Sequence, residues 1–169
     1  DIETTGLEYK DGHKIIEIAC IELSNYVPTG KFYQTFINPK KEISSSAKEK
    51  HGITEDFLKD KKLFNEIVPD FLEFIKDSSL IAHNGTIFDI PFLNYELKFN
   101  KLNIIKNSII DTLILARKQF PGASASLDAL CRRFDIDLSN RKKHGALIDA
   151  KLLAKVYLEL KGGQQPNLV

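Results

Sequence analysis

Asp1, Glu3, Asp89, Asp149 and His144 have side chains able to do acid–base or cation chemistry, and an ordinary structural role stands beside each of them. On a 3.6-residue wheel, Leu152, Leu153, Val156 and Leu160 form the apolar stripe of a C-terminal helix, and Asp149 falls at the centre of that stripe. A carboxylate facing a core is costly unless it is paired or bound to metal, so something cationic must meet it. In a first helical turn it can also simply complement the helix dipole. His144 lies five residues earlier, about 140° round the same helix, so it belongs to the preceding loop, from which its ring can reach over Asp149. A solvated loop histidine is the alternative. Asp1 and Glu3 are two apart and share one face of a strand, where two carboxylates repel unless a divalent cation neutralises them. An exposed acidic turn has the same spacing. Asp89 stands before Ile90-Pro91 and an apolar helix, the position of an N-cap, and His83-Asn84-Gly85 ends a strand, where α/β sheets carry functional loops.

The elements that must position these residues follow from patterning. Lys14 to Ser24 is continuously apolar and β-branched, a strand covered on both faces, and Lys31 to Asn38 pairs with it across a turn at Val27-Pro28-Thr29-Gly30. Lys40 to Lys50 reads as a polar loop, and a short helix starts at Glu55. Ile67, Phe71, Phe74 and Ile75 recur at helical spacing within Phe64 to Asp77. Ser79 to Ala82 is a short strand, Phe88 to Phe99 a helix, and Ile109-Ile110 a stub of strand before a helix over Thr112 to Phe120. Ser126 caps a helix through Phe134, and the last helix runs from Gly145 to Lys161. This order predicts an α/β fold with a mixed central sheet and helices on both faces.

Composition sets the outer limits. The 169 residues are 43% hydrophobic and 28% charged, which suits one domain burying roughly 70% of its unfolded surface. Lys and Arg total 24 against 23 Asp and Glu, a net charge of +1. There is no basic field announcing nucleic acid, so any polyanion contact must be local. Cys20 and Cys131 form neither a disulfide framework nor a zinc pattern, which fits a reducing cytoplasm. No apolar run reaches the ~18 residues of a membrane span, and no stretch of the 169 residues has the basic, apolar, small-residue pattern expected of a signal sequence.

Taken together, Asp1-Ile2-Glu3-Thr4-Thr5-Gly6, His83-Asn84 with Phe88-Asp89, and His144 with Asp149 resemble the three motifs of the DEDDh 3′→5′ exonucleases. Gly12 to Ile18, His51-Gly52-Ile53, Ser126 to Cys131 and His144-Gly145-Ala146-Leu147 are similar to the proofreading branch that accompanies bacterial DNA polymerase III. The resemblance implies a ribonuclease H-like sheet and hydrolysis of the terminal phosphodiester at a DNA 3′ end. It implies that Asp1, Glu3, Asp89 and Asp149 hold two Mg²⁺ or Mn²⁺ ions, with His144 as general base. Thr4, Thr5, Gly6, His51 and Phe88 become the residues on the substrate side. Two departures stand out: Ser46 occupies the place of a Glu that the branch commonly carries, and the stretch from His83 to Asp89 is one residue longer than usual. An exonuclease acting on RNA and a non-catalytic replisome binding module are the alternatives on the same fold.

The resemblance further implies the polymerase III catalytic subunit as partner and a bacterial cytoplasmic location. Residues 1–161 are expected to form the exonuclease domain and 162–169 to begin a tail, in which Gln165 to Val169 could start a peptide binding the sliding clamp. With no Met and a start on Asp1, the first strand is expected to be cut short, with residues preceding it in the native protein.

Overall fold

The computed structural model describes residues 1–162; the expected clamp-binding peptide lies outside them. Strands β1 (Ile2–Thr4), β2 (Ile15–Ser24) and β3 (Val27–Phe36) form an antiparallel ladder in that order, and β4 (Leu80–Ala82) pairs in parallel with β5 (Ile109–Asp111). The expected α/β fold with antiparallel and parallel strands is present, and it differs from one continuous sheet only in being hydrogen-bonded as two ladders. An apolar slot of about 180 Å³, lined by Ile2, Ile18, Leu80, Ala82 and Leu93, lies between them.

The hairpin turn also differs from expectation. Asn25 and Tyr26 both take positive φ, 51° and 63°, which gives the tight two-residue turn whose twist suits an antiparallel hairpin. β3 therefore begins at Val27 and runs through Pro28 and Gly30, with a break in register opposite, between Ile21 and Leu23. Pro28 is tolerated because β3 pairs only with β2 and forms the ladder's edge.

A helix replaces the polar loop expected before Lys50. Helix α1 (Ser45–His51) starts where the Ser44 hydroxyl accepts from the Ala47 amide and stops at left-handed Gly52. Helices α2 (Glu55–Leu58), α3 (Phe64–Ile75), α4 (Asp89–Phe99), α5 (Thr112–Gln119), α6 (Leu127–Arg133) and α7 (Ala146–Leu160) follow. On α7, Leu152, Leu153, Val156 and Leu160 are all buried, as the wheel required.

Helices cover both faces of β2. Ile18 belongs to a core cluster with Phe71 of α3 and Phe92 of α4, whereas the next residue, Ala19, packs with Ala146 and Ala150 of α7. The three alanines let α7 approach β2 closely, so the residues at its N-terminus are held against the strand. A second cluster joins Ala116 of α5, Leu130 and Cys131 of α6, and Leu152, Val156 and Leu160 of α7. Each large apolar side chain fully buried in these clusters contributes roughly 1.5–3 kcal/mol.

Candidate active site

β1 carries the first pair of carboxylates. The Asp1 nitrogen donates to Ala19 O at 2.9 Å and the Ala19 amide returns a bond to Asp1 O at 3.0 Å, so Asp1 is fixed beside the start of the ladder. Glu3 stands opposite Glu17 of β2, and the register shifts immediately after it. Glu3 is buried, and that burial, reinforced by Asp149 and Glu17 and opposed by Lys50, raises its pKa to about 7.

The turn after β1 is built by internal bonds. Thr4 Oγ1 donates to Gly6 O at 2.6 Å. Thr5 is fully buried; its hydroxyl accepts from the Lys14 amide and bonds the His13 ring at 3.0 Å. Thr5, expected on the substrate side, therefore stands behind the cleft wall. Gly6 cannot be replaced freely, because a Cβ there would lie 2.3 Å from the His13 ring. His51 lines the cleft with both ring nitrogens engaged: the Ile53 amide donates to its Nδ1 at 3.0 Å, which leaves Nε2–H to donate to Thr4 O at 3.1 Å. Burial lowers its pKa, in keeping with a neutral ring.

Asp89 and Phe88 come from the start of α4. Phe88 takes the N-cap position, so Asp89 is the first helical residue and not the cap its sequence suggested. Asp89 is buried, which pushes its carboxyl upward. The Phe88 ring lies 5.0 Å from that of Phe92. The loop before α4 hangs on Asp111, a residue that the sequence pattern does not single out. Its carboxylate accepts from the amides of Asn84, Thr86 and Leu113 at 2.9–3.1 Å. Burial alone would raise Asp111, but these bonds outweigh it and hold the carboxyl below its ordinary range. His83 bonds the Thr112 hydroxyl at 2.9 Å, and a Cβ on Gly85 would strike Ala82 at 2.4 Å.

α7 and the loop before it complete the arrangement. Glu17 accepts from the Ala146 amide at 3.1 Å, pinning the first turn of α7 to β2. The His144 amide donates to Lys50 O at 3.0 Å, pinning the loop to α1. His144 Nδ1 lies 3.6 Å from Asp149 Oδ2. Burial lowers the His144 pKa, Arg141 adds to that, and Asp149 opposes it, so the ring is neutral near pH 7. The cation demanded by Asp149 is Arg141, whose Nε and Nη2 donate to the two carboxylate oxygens at 2.7 and 2.8 Å. Arg141 also bonds Asp128 and His144. Nothing in the charge run Arg141-Lys142-Lys143 distinguished it from a solvated loop.

All these side chains converge. A cleft of about 450 Å³ is lined by Asp1, Glu3, Asp89, Asp149 and His144, with Thr4, Gly6, Ser46, His51, His83 and Phe88 around them and Lys50 and Arg141 as cations; Thr5 is absent from its wall. Glu3, His144 and Asp149 each offer a ligand atom, and these atoms lie within 4.8 Å of one another. Hard oxygen donors with one imidazole, buried where their charge needs neutralising, fit a divalent cation.

Such a fold and site define a nuclease class, and residues 1–157 match the exonuclease family (RNase_T). The chain is 54% identical over 169 residues to DNA polymerase III subunit epsilon of Rickettsia typhi, covering 98% of this chain and 73% of that protein. It is 44% identical over 172 residues to the same subunit of Salmonella typhimurium, covering 97% and 70%. Among solved structures, exonuclease X in complex with 5′ overhanging duplex DNA superposes with a TM-score of 0.75 at 25% identity, over 95% of this chain and 87% of that one. The nuclease domain of 3′hExo, a DEDDh family member bound to rAMP, gives 0.78 at 20% identity, over 96% and 90%. The chain belongs to the exonuclease family, in the branch of the DNA polymerase III epsilon subunits. It is a metal-dependent 3′→5′ exonuclease with a ribonuclease H-like fold. Among the described residues no helix is long and apolar enough to cross a membrane.

Proposed function

We propose that the cleft removes nucleotides from a DNA 3′ end as the proofreading site of a replicative polymerase, with the polymerase III catalytic subunit as partner in the bacterial cytoplasm. In this reading Asp1, Glu3, Asp89 and Asp149 hold two divalent cations, Mg²⁺ or Mn²⁺. The observation that carries it is the meeting of all four carboxylates and His144 in one cleft from three separate stretches of sequence. When bound, two such cations stabilise both the attacking and the leaving oxygen of an in-line displacement. The remaining steps fall to side chains of the chain itself. His144, neutral and one-third exposed on its loop, takes the proton of the attacking water. Thr4, Gly6, His51 and Phe88 line the wall against which the terminal nucleotide rests, and Thr5 holds the turn from behind. With a net charge of +1 the chain has little unspecific grip on DNA, which suits delivery of the 3′ end by a partner.

Comparing hydrolysis of 3′-mismatched DNA with that of short RNA at one salt concentration tests the reading. Preference for the mismatched DNA is expected. A strong preference for RNA would overturn the proofreading role, and no Mn²⁺-dependent hydrolysis of either would turn the reading towards a binding module.

A further inference from the structure

Arg141 is tied to more of the site than its place in a charged loop suggests. Its side chain is 8% exposed. Nε and Nη2 occupy the two oxygens of Asp149, Nη1 donates to Asp128 of α6, and Nη2 donates to Nδ1 of His144 at 3.0 Å. A guanidinium carries donors only, so Nδ1 must be the acceptor, and the proton of the neutral ring lies on Nε2. A ring with Nε2 protonated and Nδ1 engaged has no free nitrogen with which to take a proton from water. The arrangement that satisfies Asp149 therefore also silences His144.

We propose that Arg141 is the gating and positioning residue of this site: its fork holds Asp149 and His144 in a resting state, and releases both together when Asp149 turns to a divalent cation. The inference rests on the reading of Asp149 as a cation ligand. Release is feasible because Asp128 gives the guanidinium a second carboxylate to keep. The Asp128 side chain is 40% exposed, sits on α6 and does not line the cleft. The His144 backbone stays in place through its bond to Lys50 O, so only side chains need move. Once freed, Nδ1 accepts one proton of the attacking water. The water oxygen bonds to phosphorus as the bond to the 3′-oxygen breaks, and that oxygen leaves to be protonated by solvent. Cation loading and activation of the base thereby become one event.

The test is Mn²⁺ titration by calorimetry on the full chain, for wild type, Arg141→Gln, Arg141→Lys and Asp149→Asn, with melting curves to confirm folding. Arg141→Gln is expected to bind Mn²⁺ roughly tenfold more tightly, since it no longer competes for Asp149 through charge-assisted bonds. Arg141→Lys, which keeps the charge and loses the fork, is expected to fall between it and wild type, and it carries the test if Arg141→Gln does not fold. ¹⁵N NMR of His144 in the wild type needs no variant: Nδ1 is expected to leave its hydrogen-bonded state on addition of Mg²⁺. Unchanged or weaker Mn²⁺ binding in both Arg141 variants, with Asp149→Asn impaired, would overturn the gate and leave the cation reading intact. If neither wild type nor any variant bound Mn²⁺, the cation reading and the gate would fall together.

Discussion

Arg141 grips Asp149 side-on, Nε to Oδ1 at 2.7 Å and Nη2 to Oδ2 at 2.8 Å, and the same guanidinium reaches His144 at 3.0 Å. The misfit of a carboxylate on the apolar stripe of α7 is thus answered by a partner from the preceding loop. Asp149 remains one of four carboxylates on a single cleft, with Glu3 beside it still protonated over much of the range below pH 7.

Asp149 and His144 should separate binding from chemistry. Asp149→Ala is expected to abolish both exonuclease activity and Mn²⁺ binding. His144→Ala is expected to lower kcat by 10²–10⁴-fold, the usual contribution of a positioned base, while Mn²⁺ still binds. Steady-state kinetics beside calorimetry checks both, and near-normal turnover of the His144 variant would remove it as the base.

Asp111 should prove as necessary as the residues that face the cleft. Asp111→Ala leaves the amides of Asn84, Thr86 and Leu113 without their acceptor, at about 1–3 kcal/mol for each amide that stays dry. The expected result is a lowered Tm together with reduced activity, with Asp111→Asn intermediate in both because its one carbonyl oxygen cannot serve all three donors. Thermal melts and kinetics on the same samples decide it; a Tm equal to wild type would show that the loop is held by something else.

Glu96 makes a prediction about pH. It is buried on α4, where its carboxylate accepts from the Ile15 amide, and burial raises its pKa from 4.5 to about 7. A raised carboxyl binds its proton more tightly folded than unfolded, so stability falls as pH climbs from 4.5 to about 7. The loss is complete above that range and on the order of 3 kcal/mol. Glu96→Gln keeps an acceptor for Ile15 and removes the titration. It is expected to match wild type in urea unfolding near pH 4.5 and to exceed it at pH 8. Equal stability at pH 8 would refute the assignment.

Gly6 tests the turn after β1. Gly6→Ala places a Cβ 2.3 Å from the His13 ring, which must then leave its bond to Thr5. A rise in KM for a DNA 3′ end is expected, with a smaller loss of Tm, because the displaced ring shifts the wall that the nucleotide meets. An unchanged KM would mean that the turn takes no part in substrate binding.

Much of this was legible in the sequence, and what was not has physical causes. The stripe of α7 exposed Asp149 because a helix wheel fixes direction, and the β-branched run of β2 showed burial on both faces. Helix α1 was hidden because its residues are polar; only its Ser44 cap and the Gly52 stop, both short-range signals, mark it. The hairpin was misplaced because Pro28 and Gly30 look like a turn, whereas the left-handed pair Asn25-Tyr26 makes it. Thr5 carries the right chemistry for a substrate contact, yet its hydroxyl bonds the His13 ring and the Lys14 amide, neighbours that only folding supplies. Arg141 and Asp111 could not be singled out, since their partners lie on other elements. A capping Asp directly before α5 was the one local sign of Asp111.

The central claim is that Asp1, Glu3, Asp89 and Asp149 together hold divalent cations. Anomalous scattering from a crystal soaked in Mn²⁺ tests it most directly. Two peaks among these four carboxylates, about 3.5–4 Å apart, are predicted. Peaks only elsewhere, or none in this cleft while Arg141 stays on Asp149, would contradict it.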